Sequence, residues 1–94
     1  MIRSFHFRKE IKTKRSIYVQ TEATIPIEIM VAIGKRHAVG IAELGNQYAT
    51  IEKSIIPFMK PPEPEELAKE LLSKLKIPES EWEEILKTRR ELVI

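Results

Sequence analysis

HAVGIAELGNQYATIEKSII, residues 37–56, decides what kind of molecule this chain makes. Ile41, Leu44, Tyr48, Ile51 and Ile55 step by three and four, the spacing of one face of an α-helix. Ala42, Ala49 and Ile56 widen that stripe. The expectation is a helix over 39–56, ended by Pro57. Gly40 and Gly45 each weaken it by about 1 kcal/mol.

Upstream, the periodicity is that of strands. Residues 2–11, IRSFHFRKEI, and 16–23, SIYVQTEA, alternate, with the polar KTKR between them, and predict a basic hairpin. In TIPIEIMVAIG, Ile25, Ile27, Ile29, Val31 and Ile33 recur at period two. β-branched residues at alternate positions fit a pleated surface, and Pro26 suggests a strand start or an edge. A helix starting at Pro26 is the alternative.

Downstream, PFMKPPEPE carries four prolines and reads as a stiff linker. Leu67, Leu71, Leu72 and Leu75 predict a helix over 64–76. Ser80 with Glu83 resembles a capping box for a third helix lined by Trp82, Ile85, Leu86 and Leu92. The expected fold is therefore α+β in the order β-β-β-α-α-α: a three-stranded antiparallel sheet packed on one helix, then a C-terminal helical hairpin.

Ninety-four residues suit a single domain. Residues 1–59 form its basic sheet-plus-helix unit and 60–94 its acidic hairpin. Ten Lys and Arg face five Glu up to Lys60, and six face nine beyond it. Cysteine is absent, and with it disulfides, thiol nucleophiles and Cys-based metal sites. All 14 acids are Glu, and the Lys- and Glu-rich composition suits a thermophilic source. No apolar run approaches the ~20 residues of a membrane span and no signal peptide opens the chain, so a cytoplasmic protein without membrane contact is expected.

Chemistry has few carriers. His6 and His37 are the only histidines, no serine sits in a nucleophile elbow, and no glycine-rich nucleotide loop occurs. The expectation is no enzyme, no catalytic residue, no metal and no cofactor. Basic residues carry the positive case. Gly34-Lys35-Arg36-His37 follows a strand and precedes the expected helix, whose free amides and positive dipole end favour an anion. Arg3, Phe5, Phe7 and Lys9 share one strand face, and bases interleaved with aromatics suit single strands; the alternative puts Phe5 and Phe7 in the core, with Arg3 and Lys9 reaching out at the strand ends. Lys12, Lys14 and Arg15, in the predicted turn, and Tyr18, across the hairpin, complete the expected surface.

On Ala32, Gly34, Lys35, Arg36 and Ala38, about thirty residues resemble the last strand, basic loop and following helix of double-stranded-RNA-binding domains. They are also similar to the related unit of a bacterial small-subunit ribosomal protein family. If 25–37 were helical, the chain would resemble a ribbon-helix-helix DNA binder. The leading expectation is a nucleic-acid-binding protein that favours single strands, with little sequence preference. It is expected to form a homodimer through residues 82–94. The alternative is a protein-interaction or assembly subunit, antitoxin-like or ribbon-helix-helix-like, acting through its C-terminal helices.

Overall fold

The structure, a computed structural model, describes residues 2–14 and 22–92. Five strands and two helices follow in the order β1 (Arg3–Lys14), β2 (Glu22–Ile33), β3 (His37–Leu44), β4 (Gln47–Ser54), α1 (Pro64–Lys74), α2 (Glu79–Leu86) and β5 (Arg90–Leu92). The strands make one antiparallel sheet in the order β4-β3-β2-β1-β5. Both helices pack on the same face of it.

This corrects the expected three-stranded sheet with three helices. The segment 39–56 is a β-hairpin. Gly45, at φ +59°, and Asn46 turn β3 into β4, because a two-residue hairpin loop needs left-handed backbone that glycine adopts without steric cost. Residues of the supposed helical stripe fall on opposite faces of the sheet. Leu44 and Ile51 point under the helices, while Ile41 and Tyr48 point away. Small residues hide the alternation. Ala38, Gly40 and Ala42 are the fully buried positions of β3. A Cβ on Gly40 would lie 2.9 Å from Leu71 Cδ1 of α1 and 3.2 Å from Ile51 and Val31.

The N-terminal hairpin is corrected too. β1 runs on through Lys12 to Lys14 and pairs with β2, from Arg3↔Ile33 to Lys14↔Glu22. KTKR is therefore not a simple turn; its Arg15, and most of the expected strand 16–23, lie outside the described residues. Residues 25–33 are strand, not helix. Pro26 lies one residue beyond the stretch of β2 paired with β3, so its missing N–H interrupts no ladder on that side.

The core lies between sheet and helices. Phe5, Phe7, Ile27, Ile29 and Val31 meet Leu67, Leu71, Leu72 and Ile85 there, all essentially solvent-free. α1 starts with Pro64 in its first turn, where a missing N–H costs nothing. α2 begins at Glu79 with Pro78 as its N-cap, and no side chain caps it, so the Ser80–Glu83 capping box is not formed. Helix α2 ends at Leu86, and Leu92, expected to line the same helix, lies in β5 against Ser4 of β1.

Candidate nucleic-acid interface

The structure separates residues that the sequence grouped. Period two sets Arg3, Phe5, Phe7 and Lys9 on one face of β1, and that face lies under the helices. Phe5 is 1% exposed and Phe7 is 0% exposed. Neither ring can stack on a base while the protein is folded, and their part in the expected surface is corrected. They are core because α2 and β5 cover β1, elements that alternation within β1 cannot reveal.

The flanking cations are engaged as well. Arg3 Nη2 donates to Glu91 Oε1 at 2.9 Å and its Nε to Glu91 Oε2 at 3.2 Å, tying β1 to β5 with a two-pronged bond. Hydrogen bonds from Arg3, more than any other cause, hold the Glu91 carboxyl below the usual carboxylate range, and the same bond raises the Arg3 guanidinium. The guanidiniums of Arg3 and Arg89 lie 5.1 and 5.5 Å from the centroid of the Phe5 ring, within cation–π range. Lys9 pairs with Glu84 at 3.4 Å, which helps hold that carboxyl low. Arg8, on the open face of β1, pairs with Glu28 at 3.1 Å.

Lys35 and Arg36 differ. They form the tip of the β2–β3 turn, both exposed, and neither meets a carboxylate among the described residues. The turn is braced: Gly34 N donates to His37 O at 2.9 Å and Ile55 N to Arg36 O at 2.7 Å. His37 opens β3, with Nδ1 4.0 Å from Glu52. No helix follows, so the free amides and dipole of a helix N-terminus play no part. The resemblance to double-stranded-RNA-binding domains and to the ribosomal unit loses its helix, and the ribbon-helix-helix likeness loses its premise.

A second basic position is far away. Beyond Ile27, β1 and β2 continue as a two-stranded ribbon that carries Lys12 and Lys14. About nine residues of strand, roughly 30 Å, separate Lys12 from the Lys35–Arg36 turn. The expected single basic surface is thus two sites at opposite ends of the sheet. Arg15 and Tyr18 lie outside the described residues.

The C-terminal segment serves the protomer itself. Ile85 is fully buried, Trp82 and Leu86 pack against the core, and Trp82 Nε1 donates to Ile77 O at 2.9 Å. Of the apolar side chains expected to bind a second copy through 82–94, or a protein partner through the helices, Trp82, Ile85 and Leu86 close this core; Leu92 is exposed, and Val93 and Ile94 lie outside the described residues. What sequence reasoning missed is the open face of the sheet, where Met30, Val39 and Ile41 are exposed around a shallow trough of about 480 Å³ and Leu92 is exposed on β5. The signal was present as apolar residues in both phases of β3.

Among the described residues, no three His or Glu side chains are grouped as metal ligands. No helix among them is long and apolar enough to cross a membrane. Over 97% of its length the chain is 69% identical to "Uncharacterized protein 72" of Sulfolobus islandicus filamentous virus (isolate Iceland/Hveragerdi), of which the match covers 92%. The chain belongs to the family of that viral protein. No established family profile matches it, and no solved structure does.

Proposed function

We propose that this member of the viral family is a nucleic-acid-binding protein without catalytic activity, held to its ligand mainly through phosphate. The observation that carries the reading is the braced Lys35–Arg36 turn, whose two cations meet no carboxylate among the described residues, whereas Arg3, Arg8 and Lys9 do. Fixed backbone under two exposed cations lowers the ordering cost of gripping a phosphate, and arginine can grip it with two bonds. The ribbon with Lys12 and Lys14 is the second contact. Helices α1 and α2 carry Glu65, Glu66, Glu79, Glu81, Glu83 and Glu84, which makes them poor occupants of a groove. Strands and turns therefore do the binding. With Phe5 and Phe7 buried, any preference for single strands comes from backbone shape and flexibility.

A titration with single- and double-stranded DNA and RNA at two salt concentrations tests this. Four phosphate contacts give a log–log salt slope of about −3 on single strands. Lys35→Glu with Arg36→Glu should flatten that slope by about 1.4, or two contacts, with the melting temperature nearly unchanged. Salt-independent binding, or the same affinity in the double variant, would overturn the assignment.

A further inference from the structure

An antiparallel sheet with one bare face normally turns polar side chains to water on it. Here the centre of the bare face is apolar: Met30 on β2 and Val39 and Ile41 on β3 are 39–45% exposed. Charge on this face is divided by side. Toward β1 and β5 stand His6, Arg8 and Arg90, with Glu10 farther along β1; toward β3 and β4 stand Glu43 and Glu52, the latter 4.0 Å from His37, with Lys74 of α1 also lining the trough there. Between them β2 carries Glu28, already paired with Arg8. Glu43 and Arg90 have no ion pair or hydrogen bond from their side chains among the described residues.

We infer that this face binds a second copy of the chain, sheet on sheet, about a two-fold axis lying in the contact plane parallel to β2. Such an axis exchanges left and right but keeps height along the strands. It sets the basic side of each copy against the acidic side of the other. Arg8, Glu28 and Glu43 occupy one row across the sheet, so Arg8 of one copy meets Glu43 of the other, twice over, while the two copies of Glu28 face each other near the axis, each still paired with its own Arg8. An axis across the strands would place bases over bases. The natural twist of each sheet permits such stacking at about 30° between strand directions. Eight-residue strands β3 and β4 beside β1 and β2 give a flat footprint on the order of 500 Å². With pleat and side chains counted, that approaches the roughly 800 Å² per partner of a standard interface. Met30, Val39 and Ile41 supply the apolar centre, and the ion pairs fix orientation.

Sedimentation and native mass spectrometry on the full chain test this by charge exchange. The wild type is expected to be a dimer at high micromolar concentration. Arg8→Glu alone sets two carboxylates against each other at each of these contacts, and Glu43→Arg alone sets two guanidiniums against each other. Each should weaken its homodimer by roughly tenfold or more. Mixed in equal amounts, the two variants restore an opposite-charge pairing and should form a heterodimer more readily than either variant pairs with itself, which also shows that each is folded. A wild type that stays monomeric would overturn the inference. So would single variants as dimeric as the wild type, a mixture that forms no heterodimer, or a monomer whose Ile41→Glu variant loses only nucleic-acid binding.

Discussion

On the covered face of the sheet, β3 presents Ala38, Gly40 and Ala42; on the open face the same strand presents Val39 and Ile41. The larger side chains point away from the core. The covered positions are small because α1 supplies the volume there through Leu67, Leu71 and Leu72, and its close approach leaves no room for more. β1 and β2 follow the opposite rule, with Phe5, Phe7, Ile27 and Ile29 all pointing inward. One sheet therefore contains two solutions to the same packing problem. The small-residue solution frees large apolar side chains for the other face, where folding of one protomer does not need them.

The sharpest way to break this comparison is to make the same change on both faces. Ile29→Ala, on the fully buried side, should cost about 2–5 kcal/mol, the usual loss for an isoleucine-sized cavity. Ile41→Ala, on the open face, should cost less than about 1 kcal/mol in dilute solution, where any dimer has dissociated. Urea unfolding of both variants decides it. Equal losses would mean that the open face contributes to the protomer core.

A smaller effect is expected from adding volume instead of removing it. A β-carbon at Gly40 meets Leu71 at 2.9 Å, so Gly40→Val must push α1 off the sheet. The expected loss is about 1–3 kcal/mol, as for other overpacked cores. A slightly smaller enlargement across the sheet, Ala32→Val on the half-exposed face, should be within about 0.5 kcal/mol of wild type. Thermal melts of the pair measure the difference directly. If both are neutral, α1 does not sit on β3 as closely as described.

The reversed packing of β3 also explains what the sequence could and could not say. Ile25 to Ile33 alternate in one phase, and that strand was legible. The helix at Pro64–Lys74 was legible from its leucines. In β3 the covered phase is small from Ala38 to Ala42 while the open phase carries Val39 and Ile41, and in β4 Ile51 is the one large apolar residue of the covered phase, so no apolar alternation marks these strands. The residues that remain conspicuous happen to step by three and four. The Gly45-Asn46 turn was the readable signal, and it was outweighed by that stripe. At the candidate site, the Lys35–Arg36 loop was legible as a turn between elements, but its helix was not there. The role of Phe5 and Phe7 depends on α2 and β5, which reach β1 from the far end of the chain.

The weakest expected effect concerns the pairs that hold those late elements to β1. Glu91 joins β5 to Arg3, and Glu84 joins α2 to Lys9. Both carboxyls lie below the ordinary range, Glu91 chiefly through its hydrogen bonds from Arg3, Glu84 through Lys9 and then the charge of Lys87. A carboxylate whose folded value is depressed adds stability that is complete above its unfolded value, about 4.3 for Glu. That contribution is lost as pH falls through the folded value. Acid should therefore loosen the β1–β5 edge below roughly pH 4, with no such loss on going from neutral pH to about pH 6. The pairs are exposed and screened by salt, so the change is small and best read locally. Hydrogen-exchange protection at Arg90, Glu91 and Leu92, measured against the intrinsic rate at each pH, should fall in acid before protection in β2 and β3 does. Glu91→Gln, which cannot titrate, should already exchange faster at neutral pH and respond less to acid. An unchanged acid response in that variant would show that β5 is held by its backbone ladder and by Phe5, with the Arg3–Glu91 pair contributing nothing measurable.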